Sequence, residues 1–334
     1  MIGDFSAGLI VVLLLILAAE FVNGATDAPN AIATVVSTRV LSPRNAVLLA
    51  TVLNAIGVMS GMEVAMTISK GFVQPDAINL VALGSAMLAI VLWSSLAWKF
   101  GLPTSESHAL VASLTGAGFA AGGMKALLWI GWKKVFLGLL FSTFLGFGGG
   151  YLIIMTIMWL FGRSERRFTG SVFGRLQIVS ASFMAFSHGS NDGQKFMGVF
   201  ALALVVGGVL PPSDKFSVPW WAIMLCAAMM AIGTSVGGWR IIKTMGVKMV
   251  KLEPYQGFAA ETGAATAIEL ASGMGIPVST THTISTSIMG VGAARRFSAV
   301  RWGVVQEVVA AWVLTFPVCG FIGWGATTLA MRYF

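Results

Sequence analysis

Long apolar runs separated by short polar stretches organise this sequence. From Phe5 to Thr38, 34 consecutive residues carry few charges, Glu20 and Asp27 among them. As one straight helix that run would measure about 51 Å at 1.5 Å per residue, against a bilayer core of roughly 30 Å. A break is therefore expected over Asn23–Asn30, where Gly24 and Pro29 lie. Further apolar runs cover about 45–68, 79–99, 135–161, 172–210 (ended by Pro211-Pro212) and 219–239. A segment over 255–273 and a final span complete the chain. Each run is long enough for a crossing or most of one. The runs are continuous and do not alternate apolar with polar, which disfavours a β-barrel. The pattern predicts an all-α polytopic membrane protein with broken or re-entrant helices.

Composition agrees. Of 334 residues, 57% are hydrophobic and 10% charged, whereas soluble domains carry about a quarter charged residues. The net charge of +8 sits in short basic clusters between apolar runs. That is the distribution of cytoplasmic loops, and it leaves no domain-sized basic face for nucleic acid. Cys226 and Cys319 fall in apolar stretches, as buried free thiols do. The first residues include Asp4 and no Lys or Arg, so the basic start of a signal peptide is lacking and the first run is expected to stay as a span. No zinc spacing, P-loop or nucleophile elbow points to an enzyme or a cofactor. The expected location is the cell membrane, crossed several times and surrounded by lipid.

Two stretches repeat. Asn23-Gly24-Ala25-Thr26-Asp27-Ala28-Pro29-Asn30 is echoed by His188-Gly189-Ser190-Asn191-Asp192-Gly193-Gln194-Lys195, with Asp192 lying 165 positions after Asp27. Ala55-Ile56-Gly57 returns as Ala231-Ile232-Gly233 at an offset of 176, and Gly101 and His108 return as Gly275 and His282 at 174. Three matches in one order predict two copies of a unit, residues 1–162 and 176–334, joined by a basic linker at 163–175. Arg39 and Arg44 follow the first motif, whereas Lys215 beside Asp214 follows the second. One loop later the asymmetry reverses, with Lys70 and Asp76 against Arg240, Lys243, Lys248 and Lys251. By the positive-inside rule the copies face opposite ways. Lys125, Lys133 and Lys134 fit only if 101–123 is re-entrant. Inverted repeats with broken helices are a common transporter plan, with substrate held near the midplane.

An intramembrane carboxylate must be paired, protonated or cation-bound. Asp27 and Asp192 are therefore the candidate cation (metal) ligands, with oxygens on Asn23, Thr26, Asn30, Ser190, Asn191 and Gln194 close in sequence. Hard cations favour such oxygen ligands; the competing role is helix capping. Pro103 and Pro277 suit helix starts, which would place Thr104, Ser105 and Ser107, and Ser279, Thr280 and Thr281, at helix N-termini. Free amides and hydroxyls there make an anion site without fixed charge. His108 and His282 either donate to the anion, relay a proton, or bond a neighbouring helix. Lys195 either neutralises Asp192, faces an anion, or snorkels. Glu20, Glu106, Glu261 and Glu269 are candidate proton carriers.

These motifs resemble those of the PiT inorganic phosphate transporters, which carry an Asn-Gly-x-x-Asp-x-x-Asn element early and His-Gly-Ser-Asn-Asp-Gly-Gln-Lys in the second half. His188 through Lys195 match the latter in full, and Gly233 through Arg240 and both Gly-x-Pro-x-Ser/Thr segments also resemble family stretches. The resemblance spans essentially the whole chain. It implies a cation-coupled phosphate symporter of two inverted repeats, with Asp27, Asn30, Asn191 and Asp192 serving cations and the two hydroxyl-bearing tips holding phosphate. Thr26 stands where the family usually has Asn or His, and Pro29 where a small residue is common, leaving both Na⁺ and H⁺ as coupling ions. Sulfate or another oxyanion is the alternative substrate, a passive anion channel the alternative class, and a homodimer is compatible with either.

Overall fold

The computed structural model describes residues 5–211 and 216–333. Asp4, Pro212, Asp214 and Lys215, on which parts of the leader, run-end and loop-charge expectations rest, lie outside the described residues.

Helix α1 (Ala7–Ser37) starts on Ser6, whose hydroxyl accepts from the Leu9 amide at 3.2 Å. It continues unbroken through Pro29, so the break expected at Asn23–Asn30 is absent. Proline costs a helix one amide donor and crowds the preceding turn. Here Gly238 closes over the Pro29 ring and the Ala25 carbonyl, where a Cβ would meet the ring at 2.7 Å. Packing absorbs the defect, as it can in membranes. Helices α2 (Pro43–Val58) and α3 (Glu63–Gly71) meet at 65°, the bend of a broken span or a re-entrant loop. Helix α4 (Leu80–Phe100) ends at Gly101, whose φ of 70° reverses the chain into α5 (Glu106–Gly122). Helices α6 (Trp129–Leu140) and α7 (Gly146–Phe161) are joined by a wide π turn, Phe141–Leu145.

The second half begins with α8 (Arg166–His188), which carries Arg166, Arg167 and Arg175. A π turn at Gly189–Gly193 leads into α9 (Gln194–Val206). Thus the second copy of the motif does interrupt its helix, by widening it. Helix α10 (Trp220–Val236) bends by 60° into α11 (Trp239–Lys243) and its π continuation Thr244–Met249. The expected basic loop is therefore helical through Lys248. Helix α12 (Pro254–Gly273) turns at Gly275, φ 63°, into α13 (Thr280–Arg295), and α14 (Trp302–Ala330) closes the fold.

Four segments among the described residues are long and apolar enough to cross a membrane, and the two bent pairs raise this to six. Phe144, Trp159 and Phe321 are 69%, 82% and 71% exposed. Such side chains suit a surrounding of lipid. Cys226 and Cys319 are buried free thiols, as expected.

The core divides into two apolar lobes. Leu9–Ala19 of α1 packs in the first with α3, α4, α5, α9 and α10, and Ala31–Val35 packs in the second with parts of α2, α7, α8, α12 and α13. The polar stretch from Glu20 to Asn30 lies between them. Residues of α8 from Phe173 to Ala185 belong to the second lobe and those of α9 from Phe196 to Leu204 to the first. The two motif-bearing helices therefore run in opposite directions across one polar layer.

Contacts across that layer are reciprocal. Gly24 and Gly233 bring α1 against α10, where a Cβ on Gly233 would strike the Phe21 carbonyl. Gly57 and Gly189 bring α2 against the α8–α9 turn, where a Cβ on Gly189 would strike the Asn54 carbonyl. Small residues let membrane helices approach this closely, and van der Waals contact drives their association. Gly233→Ala and Gly57→Ala are expected to destabilise the protein by about 1–3 kcal/mol through overpacking. Gly148→Ala, which meets no atom within 4 Å, is expected to leave the unfolding midpoint in detergent unchanged; equal midpoints for all three would contradict this packing.

Candidate ion and anion site

Each chain reversal aims a helix start into the polar layer. Ser105 caps α5, its hydroxyl accepting from the His108 amide at 3.3 Å; Ser279 caps α13 in the same way from His282 at 3.2 Å. The first amides of a helix have no intrahelical partner, so those of Glu106, Ser107, Thr280 and Thr281 sit at electropositive ends. Both starts lie three residues beyond the prolines, later than Pro103 and Pro277 alone suggest. Each tip is clamped: the Trp312 indole of α14 donates to the Pro103 carbonyl at 2.9 Å, and the Ser279 amide donates to Ser142 in the π turn at 3.2 Å. Lys134 donates to Thr67 and to the Gly275 carbonyl. It acts as a clasp on the second tip, which explains why it fits a loop-charge rule poorly.

The motif helices bring the carboxylates to these tips. Asp192 accepts from Thr280 at 2.8 Å and from Lys195 at 2.5 Å, while Asp27 accepts from Thr281 at 3.4 Å. Asn30 donates to both Thr280 and Thr281 at 3.2 and 3.0 Å. Lys195 also donates to Ser107 at 2.5 Å and to the Val278 carbonyl at 2.7 Å. Ligand atoms of Asp27, His188 and Asp192 all lie within 4.8 Å of one another. Burial is complete to within 3% exposure at all three.

Three candidate asparagines share one property. Asn23 spends its nitrogen on Glu20 and Met230, Asn30 on the two threonines, and Asn191 on Ser272 and the Ile276 carbonyl. Their side-chain oxygens are all buried without a hydrogen-bond partner among the described residues. Buried acceptors left without donors need a reason, and an oxygen-seeking cation provides one.

Not every candidate reaches this locus. Gln194 instead accepts from the Val64 amide at 3.1 Å, in the first turn of α3. His108 stacks on Phe316 and His282 on Trp312, with the two rings edge to face at 4.6 Å. Their rings pack on α14 and on each other, and His282 Nδ1 also meets the Ser279 hydroxyl at 2.6 Å. Thr104 and Ser105 are buried at the first tip, and Thr26 donates to Glu106 at 3.1 Å. Ser94 donates to the same carboxylate at 2.7 Å. Glu261 accepts from Thr34 at 2.5 Å, from Gln177 at 3.1 Å and from Ser180, on the far side of the motif along α1.

Sequence reasoning did not single out His188 as a neighbour of the aspartates and left Lys195 undecided. His188 stands 3.5 Å from Asp192 and contacts Asn54 through its other nitrogen at 3.0 Å. The i, i+4 spacing of His188 and Asp192 on one helix face was the available signal.

Opposed motif helices, bent helix pairs and helix starts converging on buried carboxylates define a multi-pass membrane protein with a buried polar layer. The sequence profile described as "Phosphate transporter family" matches residues 23–323. A Rhizobium meliloti protein, "Probable low-affinity inorganic phosphate transporter", is 45% identical over 91% of this chain and 90% of its own length. A Bacillus subtilis protein of the same description is 39% identical over 94% of each chain. A solved structure titled "The sodium-dependent phosphate transporter" superposes with a TM-score of 0.90, covering 98% of this chain and 100% of that one at 25% identity. The chain belongs to the phosphate transporter family, of PiT type, and is a multi-pass protein of the cell membrane.

Because Gln194 acts as a cap for α3, Gln194→Ala is expected to cost about 1 kcal/mol of stability and to leave the apparent cation affinity for transport unchanged. Asn30→Ala, removing an unpartnered oxygen beside the aspartates, is expected to weaken it. Titrating the cation against uptake for both variants checks the contrast.

Proposed function

We propose that the protein imports inorganic phosphate by symport with a cation, through alternating access of two inverted repeats, residues 1–162 and 176–334 joined by 163–175. The observation that carries this is the pair of buried carboxylates bonded to hydroxyls at a helix start, on motif segments that also carry the buried, unpartnered amide oxygens of Asn23, Asn30 and Asn191. Anion and cation ligands share one layer, so each ion lowers the cost of bringing in the other. Asp27 and Asp192, with Asn23, Asn30 and Asn191, hold the cation. Ser107, Thr280, Thr281 and the tip amides hold phosphate, with Thr104 and Ser105 shaping the first tip. His108 and His282 brace the tips through α14.

Opposite helix directions and reciprocal glycine contacts support the inverted arrangement. Two related units can then exchange roles when one rocks against the other. A passive channel is disfavoured, since fixed negative charge repels anions unless a cation is present. Na⁺ is the first choice of coupling ion because the structural neighbour is titled as sodium-dependent; H⁺ is the alternative, and sulfate the alternative substrate.

Labelled phosphate is expected to accumulate in proteoliposomes under an inward Na⁺ gradient and to stop accumulating when choline replaces Na⁺. A proton gradient that alone sustains accumulation would assign H⁺ instead, and failure under both would end the symport reading. Asp27→Asn and Asp192→Asn, each folded by size-exclusion and thermal unfolding, are expected to abolish gradient-driven uptake.

A further inference from the structure

The two halves of the site are not equivalent at one position. Adding the motif offset of 165 to Asn30 gives position 195, occupied by lysine. The tip residues correspond in the same way, since Ser107 and Thr281 differ by 174. Asn30 donates to Thr281, and Lys195 donates to Ser107. Lys195 therefore stands where symmetry would put a neutral amide. It is 1% exposed, and its Nζ meets the Asp192 carboxylate, the Ser107 hydroxyl and the Val278 carbonyl. Ser107 gives its own proton to Val278 at 2.8 Å, so it accepts from Lys195. Three acceptors around one nitrogen match the three donors of an ammonium.

We propose that Lys195 is a tethered counter-cation, which takes beside Asp192 the place of a mobile coupling ion and reduces the number of cations moved with each phosphate by one. This rests on the reading of Asp27 and Asp192 as the coupling site. The charge count carries it: Asp27, Asp192 and Lys195 together bear one negative charge, which a single monovalent cation neutralises. With asparagine at 195, as at position 30, the same carboxylates bear two. Glu106, held by Thr26 and Ser94, enters both counts equally and leaves the difference of one unaltered. A buried charge left uncompensated is strongly unfavourable, so the site loads until the count closes. The ammonium also faces Ser107 at the tip, where it adds a fixed positive charge for phosphate.

The test uses the purified full chain in proteoliposomes, with the membrane potential clamped at zero and the limiting phosphate accumulation measured under a set Na⁺ or H⁺ gradient. Lys195→Asn is expected to add one cation to the coupling ratio, raising limiting accumulation by about tenfold for each roughly tenfold cation gradient. Lys195→Met, neutral and of similar length, removes the same charge and is expected to add one cation likewise. Should Lys195→Asn not fold, Lys195→Met carries the test. A folded variant of either kind with an unchanged ratio, or with no accumulation, overturns the proposal. Gradient-driven accumulation by Asp27→Asn would instead overturn the coupling reading beneath it.

Discussion

Buried charge between two apolar lobes is the constraint on which the rest of the structure depends. Asp27 and Asp192 have almost no access to water, and the energy of an ionised group in such surroundings is prohibitive unless partners supply what water would. Every unusual feature nearby answers that demand. The hydroxyls of Thr280 and Thr281 turn toward the carboxylates, Lys195 pairs with one of them, and the two helix starts add electropositive ends. The broken helices follow from the same cause. An uninterrupted helix has no free amides at membrane depth, and only a chain that stops there can present them.

The two tips also show why irregular backbone is tolerated in this layer. Gly101 and Gly275 adopt left-handed conformations that side chains disfavour, and the segments beyond them are covered by neighbouring helices. Trp312 and Ser142 satisfy tip backbone groups from opposite halves of the fold. His108 and His282 fill the space between the tips and α14. Their matched spacing after the serine caps thus reflects matched packing.

The near-symmetry is informative where it fails. The same polar layer is crossed by an unbroken α-helix in the first half and by a π turn in the second. Proline in one copy and paired glycines in the other account for part of this. Pro29 fits against Gly238, while Gly189 must admit the Asn54 carbonyl. Asparagine at 30 and lysine at 195 make the corresponding difference in charge.

Composition and run length alone determined that this chain is helical and embedded in lipid, because the cost of exposing backbone in a bilayer leaves few other options. The duplicated motifs likewise identified both aspartates and both hydroxyl-bearing tips, since polar residues inside apolar runs stand out locally. Only the tertiary structure decided which neighbours in sequence share the site. Gln194 belongs to the motif yet caps α3, and the two histidines follow the tips yet face α14. His188 and Lys195 reach Asp192 from the preceding and following turns. Whether α1 breaks was also a tertiary matter: a proline ends a helix unless another element covers the gap it leaves, and Gly238, more than 200 residues away in sequence, covers it here. Local patterns encode polarity and propensity, whereas the direction of a side chain and the fate of a freed carbonyl depend on what packs against them.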